Sequence, residues 1–236
     1  MNKFQSQYPE KDDICPDGDL ADACLVRAPL AEANLSGADL SAADLDMADL
    51  SGANLSEVNL SKASLCLANL AGANLSESNM TGITQGIGER PNPPDWERAD
   101  GAFQEFTGIN MREANLRGAE VIQAELYHSE LSEANLSEAD FSDADLYGAD
   151  LSGADLSGAD ISDVNLSKAD LSGVNLSHAK MTATNLFGTN LENANLQGTK
   201  IDTTGLRETK LIDDQGYSTY ATSKKLRDLG AITDPF

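Results

Sequence analysis

Few side chains in this sequence belong to the types that run a reaction. Two histidines, His128 and His178, stand apart from each other and from every cysteine. The three cysteines, Cys15, Cys24 and Cys66, are too few for a disulfide framework; reduced thiols are expected, with a Cys15–Cys24 pair as the alternative. No thiol–imidazole pair is near in sequence, and no glycine-rich phosphate loop follows a strand. Carboxylates are the abundant group. Asp140, Asp143, Asp160 and Asp163 offer oxygens to a cation such as Ca²⁺. They follow no EF-hand pattern, and the calcium-binding nonapeptide repeat has another period, so a solvated acidic face is the simpler expectation. No catalytic residue, no metal site and no cofactor is expected, and the chain reads as a non-enzyme.

Charge narrows the partners. Lys plus Arg number 16 and Asp plus Glu 39, so the net charge is 16 − 39 = −23. Like charges repel, which disfavours direct contact with nucleic acid or an anionic membrane. A basic protein remains open as a partner, as does simple solubility. The first residues, MNKFQSQYPEKDD, hold no apolar core of a signal peptide, and no apolar run is long enough to span a bilayer. A cytoplasmic location is the expectation.

The elements that would carry these residues follow from a period of five. From Leu20 to Met80 a bulky apolar residue recurs at every fifth position, thirteen times, twelve of them Leu. From Met111 to Leu211 the same holds twenty-one times. Two residues earlier sits a small residue, usually Ala, with Asp or Asn between, as in Ala33-Asn34-Leu35-Ser36-Gly37 and Ala154-Asp155-Leu156-Ser157-Gly158. A helix turns about 500° in five residues, so the Leu would form no stripe. A straight strand would alternate them between faces. Short extended pieces with a corner after each keep every Leu inside, and Gly, Ser, Asn and Asp suit the corners.

The units A-(D/N)-L-x-x resemble the pentapeptide repeat family over residues 18 to 80 and 109 to 211. That resemblance implies an all-β, right-handed quadrilateral parallel β-helix, with four units and twenty residues per coil. Thirty-four units then make a rod roughly 40 Å long at one strand spacing per coil. The organisation expected is an N-terminal cap (1–17), a first repeat block (18–83), an insertion loop (84–105), a second block (106–211) and a C-terminal capping helix and tail (212–236). The helix is expected over 218–229, with Ser218 as N-cap, Gly230 past its end, and Tyr220, Leu226 and Leu229 on its apolar side. An open coil end also permits a homodimer through the C-terminal end.

Positions twenty apart then stack on one face. Glu130, Glu133, Asp150, Asp170 and Glu192 form one acidic face, and Glu120, Asp140, Asp143, Asp160 and Asp163 the opposite one. Between them, Tyr127, Tyr147 and Phe187 share one column with Ser167, read first as a self-stacking aromatic ladder and second as a partner contact. In the first block Val26, Met47, Cys66 and Leu67 form an apolar patch, covered by another part of the chain or else a protein contact. Trp96, in the insertion, is a further contact candidate. The expected function is a protein-interaction or structural scaffold. The alternative, implied by the family resemblance, is a DNA mimic that binds a type II topoisomerase (gyrase).

Overall fold

The computed structural model describes residues 14–85, 108–201, 206, 209–212 and 218–233. Within them the chain is a coil of very short strands. The middle residue of a unit bridges in parallel to the residue twenty further on, as in Asn34↔Asn54, Asn54↔Asn74 and Asp150↔Asp170. Five residues per unit and twenty per coil give four sides.

One unit accounts for all its backbone donors. In Ala38-Asp39-Leu40-Ser41-Ala42, the Ala38 N–H closes a turn onto the Leu35 carbonyl at 3.1 Å. The Asp39 N–H reaches one coil back to the Gly18 carbonyl at 2.9 Å. The Leu40 and Ala42 N–H groups reach one coil forward, to the Asn59 and Ser61 carbonyls. The Ser41 N–H, which turns away from both neighbours, donates to Asp39 Oδ1 at 3.0 Å. That fifth bond explains the Asp or Asn in the middle of the unit: a short side-chain carbonyl or carboxylate is the acceptor the corner lacks. The second corner residue takes a left-handed conformation, with φ +55° at Ala42 and +69° at Gly37.

The bulky and small positions form the interior. From Leu35 to Leu75 every repeat Leu is fully buried, with Ala38, Ala43, Ala48 and Ala53 between them. Each buried Leu contributes about 1.5–3 kcal/mol. Late in the coil Thr replaces Ala, and its hydroxyl is spent inside: Thr189 Oγ1 donates to the Leu166 carbonyl at 2.7 Å and Thr199 Oγ1 to Leu176 at 2.6 Å.

The two blocks are one coil. Asn69 bridges to Asn110 and Asn74 to Asn115, steps of 41 where other steps are 20, so 41 − 20 = 21 residues are excess. The repeat continues to Gln85, which fills a bulky position between Leu65 and Leu126. Gln85 Nε2 donates to the Tyr127 carbonyl at 3.0 Å and to Ser129 Oγ at 3.1 Å. The returning chain joins the same knot, the Ile109 N–H donating to Ser129 Oγ at 3.2 Å.

Longer elements appear only towards the C-terminus among the described residues. Strands β1 (Lys180–Met181), β2 (Lys200–Ile201) and β5 (Ile232–Thr233) form a parallel sheet in the order β1-β2-β5. Strands β3 (Lys210–Ile212) and β4 (Ser218–Tyr220) pair antiparallel. Helix α1 spans Ser223–Asp228. Ser218 is therefore a strand residue rather than the N-cap: pairing with β3 holds it extended, and Thr222 caps instead, its side chain accepting from the Lys225 N–H. Leu226 is buried, whereas Leu229 is 41% exposed and does not extend the apolar side. The tail seats on the last coil through Ile232 N–H to the Thr199 carbonyl at 2.7 Å.

Candidate interaction surface

Each coil turns four corners, and each corner shows two side chains outward. Between Ala21 and Gly198, three of the four stacks carry Ser, Gly, Ala, Thr, Gln, Asn, Glu, Asp and a few basic residues, with Ile122 the exception among bulky apolar types. The fourth stack differs. In the first block it reads Val26–Arg27, Asp46–Met47 and Cys66–Leu67. In the second it reads Tyr127–His128, Tyr147–Gly148, Ser167–Lys168 and Phe187–Gly188. These are one corner. Met47 N–H donates to the Cys66 carbonyl, His128 N–H to Tyr147, and Lys168 N–H to Phe187. Across the interruption, Gln85 ties to the Tyr127 carbonyl and the Glu125 N–H to the Ile83 carbonyl. The apolar patch and the aromatic column, separate in the sequence reading, thus form a single stripe. The chain also departs after Gln85 and returns at Gly108 on this stripe.

Local contacts shape it. Met47 and Leu67 are 42% and 47% exposed, the most exposed large apolar residues of the described coil. Arg27 Nε donates to Met47 Sδ at 3.4 Å. Val26 and Cys66 are half-buried. Asp46 accepts from the Cys66 N–H at 3.0 Å and from the Ser64 hydroxyl. Burial, with the nearby Asp46 and Asp44 charges, pushes the Cys66 thiol up and keeps it protonated.

In the second block the rings do not simply stack on one another. His128 stands edge-on to Tyr147, centroids 5.4 Å apart, and edge-on to Tyr127 at 6.5 Å. Lys168 Nζ lies 5.5 Å from the Tyr147 centroid, a cation over a ring face. Ser167 is buried. Burial pushes the His128 imidazole below its usual pKa, and the Lys168 charge adds to the effect; a backbone hydrogen bond at Gly148 works against it. The expected ladder is thus interleaved with basic residues, a feature legible only once the corner's second position is read beside its first.

The carboxylates flank this stripe. On one side the middle positions run Glu125, Asp145, Asn165, Asn185, and on the other Glu130, Asp150, Asp170, Asn190. Glu133 and Glu192 sit at the next corner rather than in the Glu130 column. The opposite face holds Glu120, Asp140 and Asp160, then Lys180, whose Nζ is 2.9 Å from Asp160 Oδ2. No group of three or more metal-ligating side chains that could hold an ion occurs among the described residues. His128 and His178 lie on opposite corners. Trp96 lies outside the described residues. Among the described residues no helix is long and apolar enough to cross a membrane.

A parallel coil of five-residue units, filled with Leu and Ala, defines a repeat-built β-solenoid. The chain belongs to the pentapeptide repeat family: eight copies of that family's repeat match residues 19–52, 48–84, 124–163 and 159–198, more than half its length. Membership implies a right-handed quadrilateral β-helix. Solved structures similar to it include HetL, a pentapeptide repeat protein involved in heterocyst differentiation regulation in the cyanobacterium Nostoc sp. strain PCC 7120. The identity is 24%, over 88% of this chain and 92% of that one, with a TM-score of 0.35. QnrB1, a plasmid-mediated fluoroquinolone resistance protein, is 19% identical over 85% and 86% of the two chains, TM-score 0.43. A pentapeptide repeat protein of the Arabidopsis thaliana thylakoid lumen is 36% identical over 43% of this chain and 67% of that one, TM-score 0.21. No curated protein matches the chain.

Proposed function

We propose that this protein is a non-enzymatic, acidic scaffold that binds another protein along the stripe from Val26 to Phe187. One observation carries the reading: of the outward bulky apolar corner residues described, all but Ile122 share a single corner. A rod whose corners were set by solubility alone would scatter them. Its length adds contact area one coil at a time, which suits extended binding. Site-directed photocrosslinking in host extract tests this. A crosslinker at Tyr147 should trap a discrete protein, while one at Ser157, on the opposite corner, should not. Equal capture at both corners, or none at Tyr147, refutes it.

A second reading is mimicry of nucleic acid towards a type II topoisomerase. What favours it is the acidic column Glu130–Asp150–Asp170, one carboxylate per coil, with Glu120–Asp140–Asp160 opposite. It predicts loss of gyrase supercoiling at micromolar protein, on the order of a moderate protein affinity. Neutralising Glu130, Asp150 and Asp170 together should restore the activity. No inhibition at any concentration removes this reading.

A further inference from the structure

We infer that Gln85 and Ser129 form a phase lock: they fix which corner of the second block continues each corner of the first. A square coil of like units can be continued in four phases. Turning the second block by one unit about the axis would still set bulky residues on bulky and small on small. The length of the excess segment does not decide the phase, since five residues more or less alter closure entropy little. The surface amides discriminate weakly. In the observed phase Asn110 donates to Asn69 and Asn115 to Asn74, each at 3.0 Å. With the second block advanced by one unit, Asn115 would meet Asn69 instead, and only the Asn74 rung would face Glu120.

The interior pair discriminates sharply. Gln85 is the one amide among the bulky inward positions described, and Ser129 the one Ser among the small inward positions described in the second block. Both are buried. Gln85 Nε2 donates to Ser129 Oγ and to the Tyr127 carbonyl. The small positions one and two units to either side of Ser129 are Ala119, Ala124, Ala134 and Ala139, all buried. In any other phase the Gln85 amide would therefore point at a methyl group, and the Ser129 hydroxyl would lose that donor. A buried polar pair with a single matching arrangement acts as a registry device. The phase also has an outward consequence. With the second block advanced by one unit, Ser132 and Glu133 would follow the Leu67 corner, and Tyr127 and Tyr147 would move a quarter turn away. The lock thus aligns the two halves of the stripe, and it stands independently of whether a partner binds there.

The test uses the full chain carrying Cys15→Ser, Cys24→Ser and Cys66→Ser, refolded from urea in a thiol–disulfide buffer. Cysteine pairs across the seam report the phase: Asn74→Cys with Asn115→Cys for the observed one, and Asn74→Cys with Glu120→Cys for the one advanced by a unit. Bridged neighbours lie within disulfide reach, whereas residues a whole side apart do not. With Gln85 and Ser129 in place, only the first pair should close. Gln85→Leu with Ser129→Ala keeps the interior filled and removes the lock. It should raise closure of the second pair about tenfold or more, the worth of one buried unsatisfied amide. Ser129→Ala with Ala134→Ser keeps Gln85 but moves its acceptor by one unit, and should shift closure the same way. Closure of the first pair alone in either variant overturns the inference. Loss of the coil in either variant, seen by circular dichroism, also overturns it, since the pair would then serve folding rather than phase.

Discussion

The imidazole of His128 covers Gly148, one coil further on, so closely that a Cβ on Gly148 would stand 2.7 Å from ring atoms Cε1 and Nδ1. His178 and Gly198 repeat the relation, also at 2.7 Å. Both glycines have positive φ, +64° and +72°. Gly148→Ala therefore meets two penalties. The left-handed backbone costs an L-residue about 1–2 kcal/mol, and the ring must also move. Gly173→Ala has the backbone penalty alone, since a Cβ there meets nothing closer than a backbone nitrogen at 4.0 Å. Denaturant midpoints should rank wild type above Gly173→Ala above Gly148→Ala, with His128→Ala rescuing part of the second loss. Equal losses at the two glycines would show that the ring gives way freely.

Two serines in the small inward position should respond oppositely to alanine. Ser78 is buried, and its hydroxyl has no partner among the described residues. Ser78→Ala should stabilise, by about 1 kcal/mol, because an unsatisfied buried hydroxyl is removed. Ser129 accepts from Gln85 Nε2 and from the Ile109 N–H. Ser129→Ala strands both donors and should destabilise by roughly 1–3 kcal/mol. Same-signed shifts in urea unfolding would contradict this account of the seam.

The amide ladders have a direction. Asn54 donates to Asn34, Asn74 to Asn54, Asn115 to Asn74 and Asn135 to Asn115, each later residue giving its Nδ2 to the earlier Oδ1. Asp can therefore start a ladder but not continue one. Asp155 accepts from Asn175 at 2.9 Å yet, ionised, has no proton to offer Asn135. Asp155→Asn should complete the column and stabilise by about 0.5–1.5 kcal/mol. Asn54→Asp, which removes a donor, should lower stability. A thermal shift of the wrong sign in either variant refutes the directional rule.

Acid should weaken the coil in two stages. His128 binds its proton less readily in the folded state than at its ordinary value of 6.5. Below that pH the unfolded chain takes up the proton first, so the stability present above 6.5 declines as pH falls. Asp39 and Asp49 are held below 3.8, chiefly by the hydroxyls of Ser41 and Ser51 and then by their N–H groups. Their contribution is present above 3.8 and fades as pH falls through the lowered folded-state values. Denaturation between about pH 7.5 and about pH 5.5 should reveal the first stage, and His128→Gln should flatten it. An unchanged slope in that variant assigns the effect elsewhere.

The period of five was legible because burial fixes it: a Leu out of step would face solvent, so Leu20 to Met80 and Met111 to Leu211 announce the coil unaided. The middle Asp or Asn was legible as a corner residue, but its service to the following N–H appears only with coordinates. Gln85 escaped the reading because a polar side chain occupies a bulky position, although its place five after Met80 was the clue. The common corner of Met47 and Tyr147 agrees with the numbers, since 147 − 47 = 100 is five coils of twenty, but nothing in the sequence says how far the segment between the blocks advances the coil. Helix α1 begins later than its composition implied, since pairing of β4 with β3 outweighs the capping preference of Ser218.

Asn69 meets Asn110 as though the 21 excess residues between them had been spliced out. The detour beginning after Gln85 therefore leaves no trace in the stacking of the rungs above and below it. A passenger peptide of another length could be exchanged at this port with little disturbance to the rod, its closure entropy growing only slowly with size. The same port opens onto the stripe, so a graft there would arrive already positioned beside whatever the stripe holds.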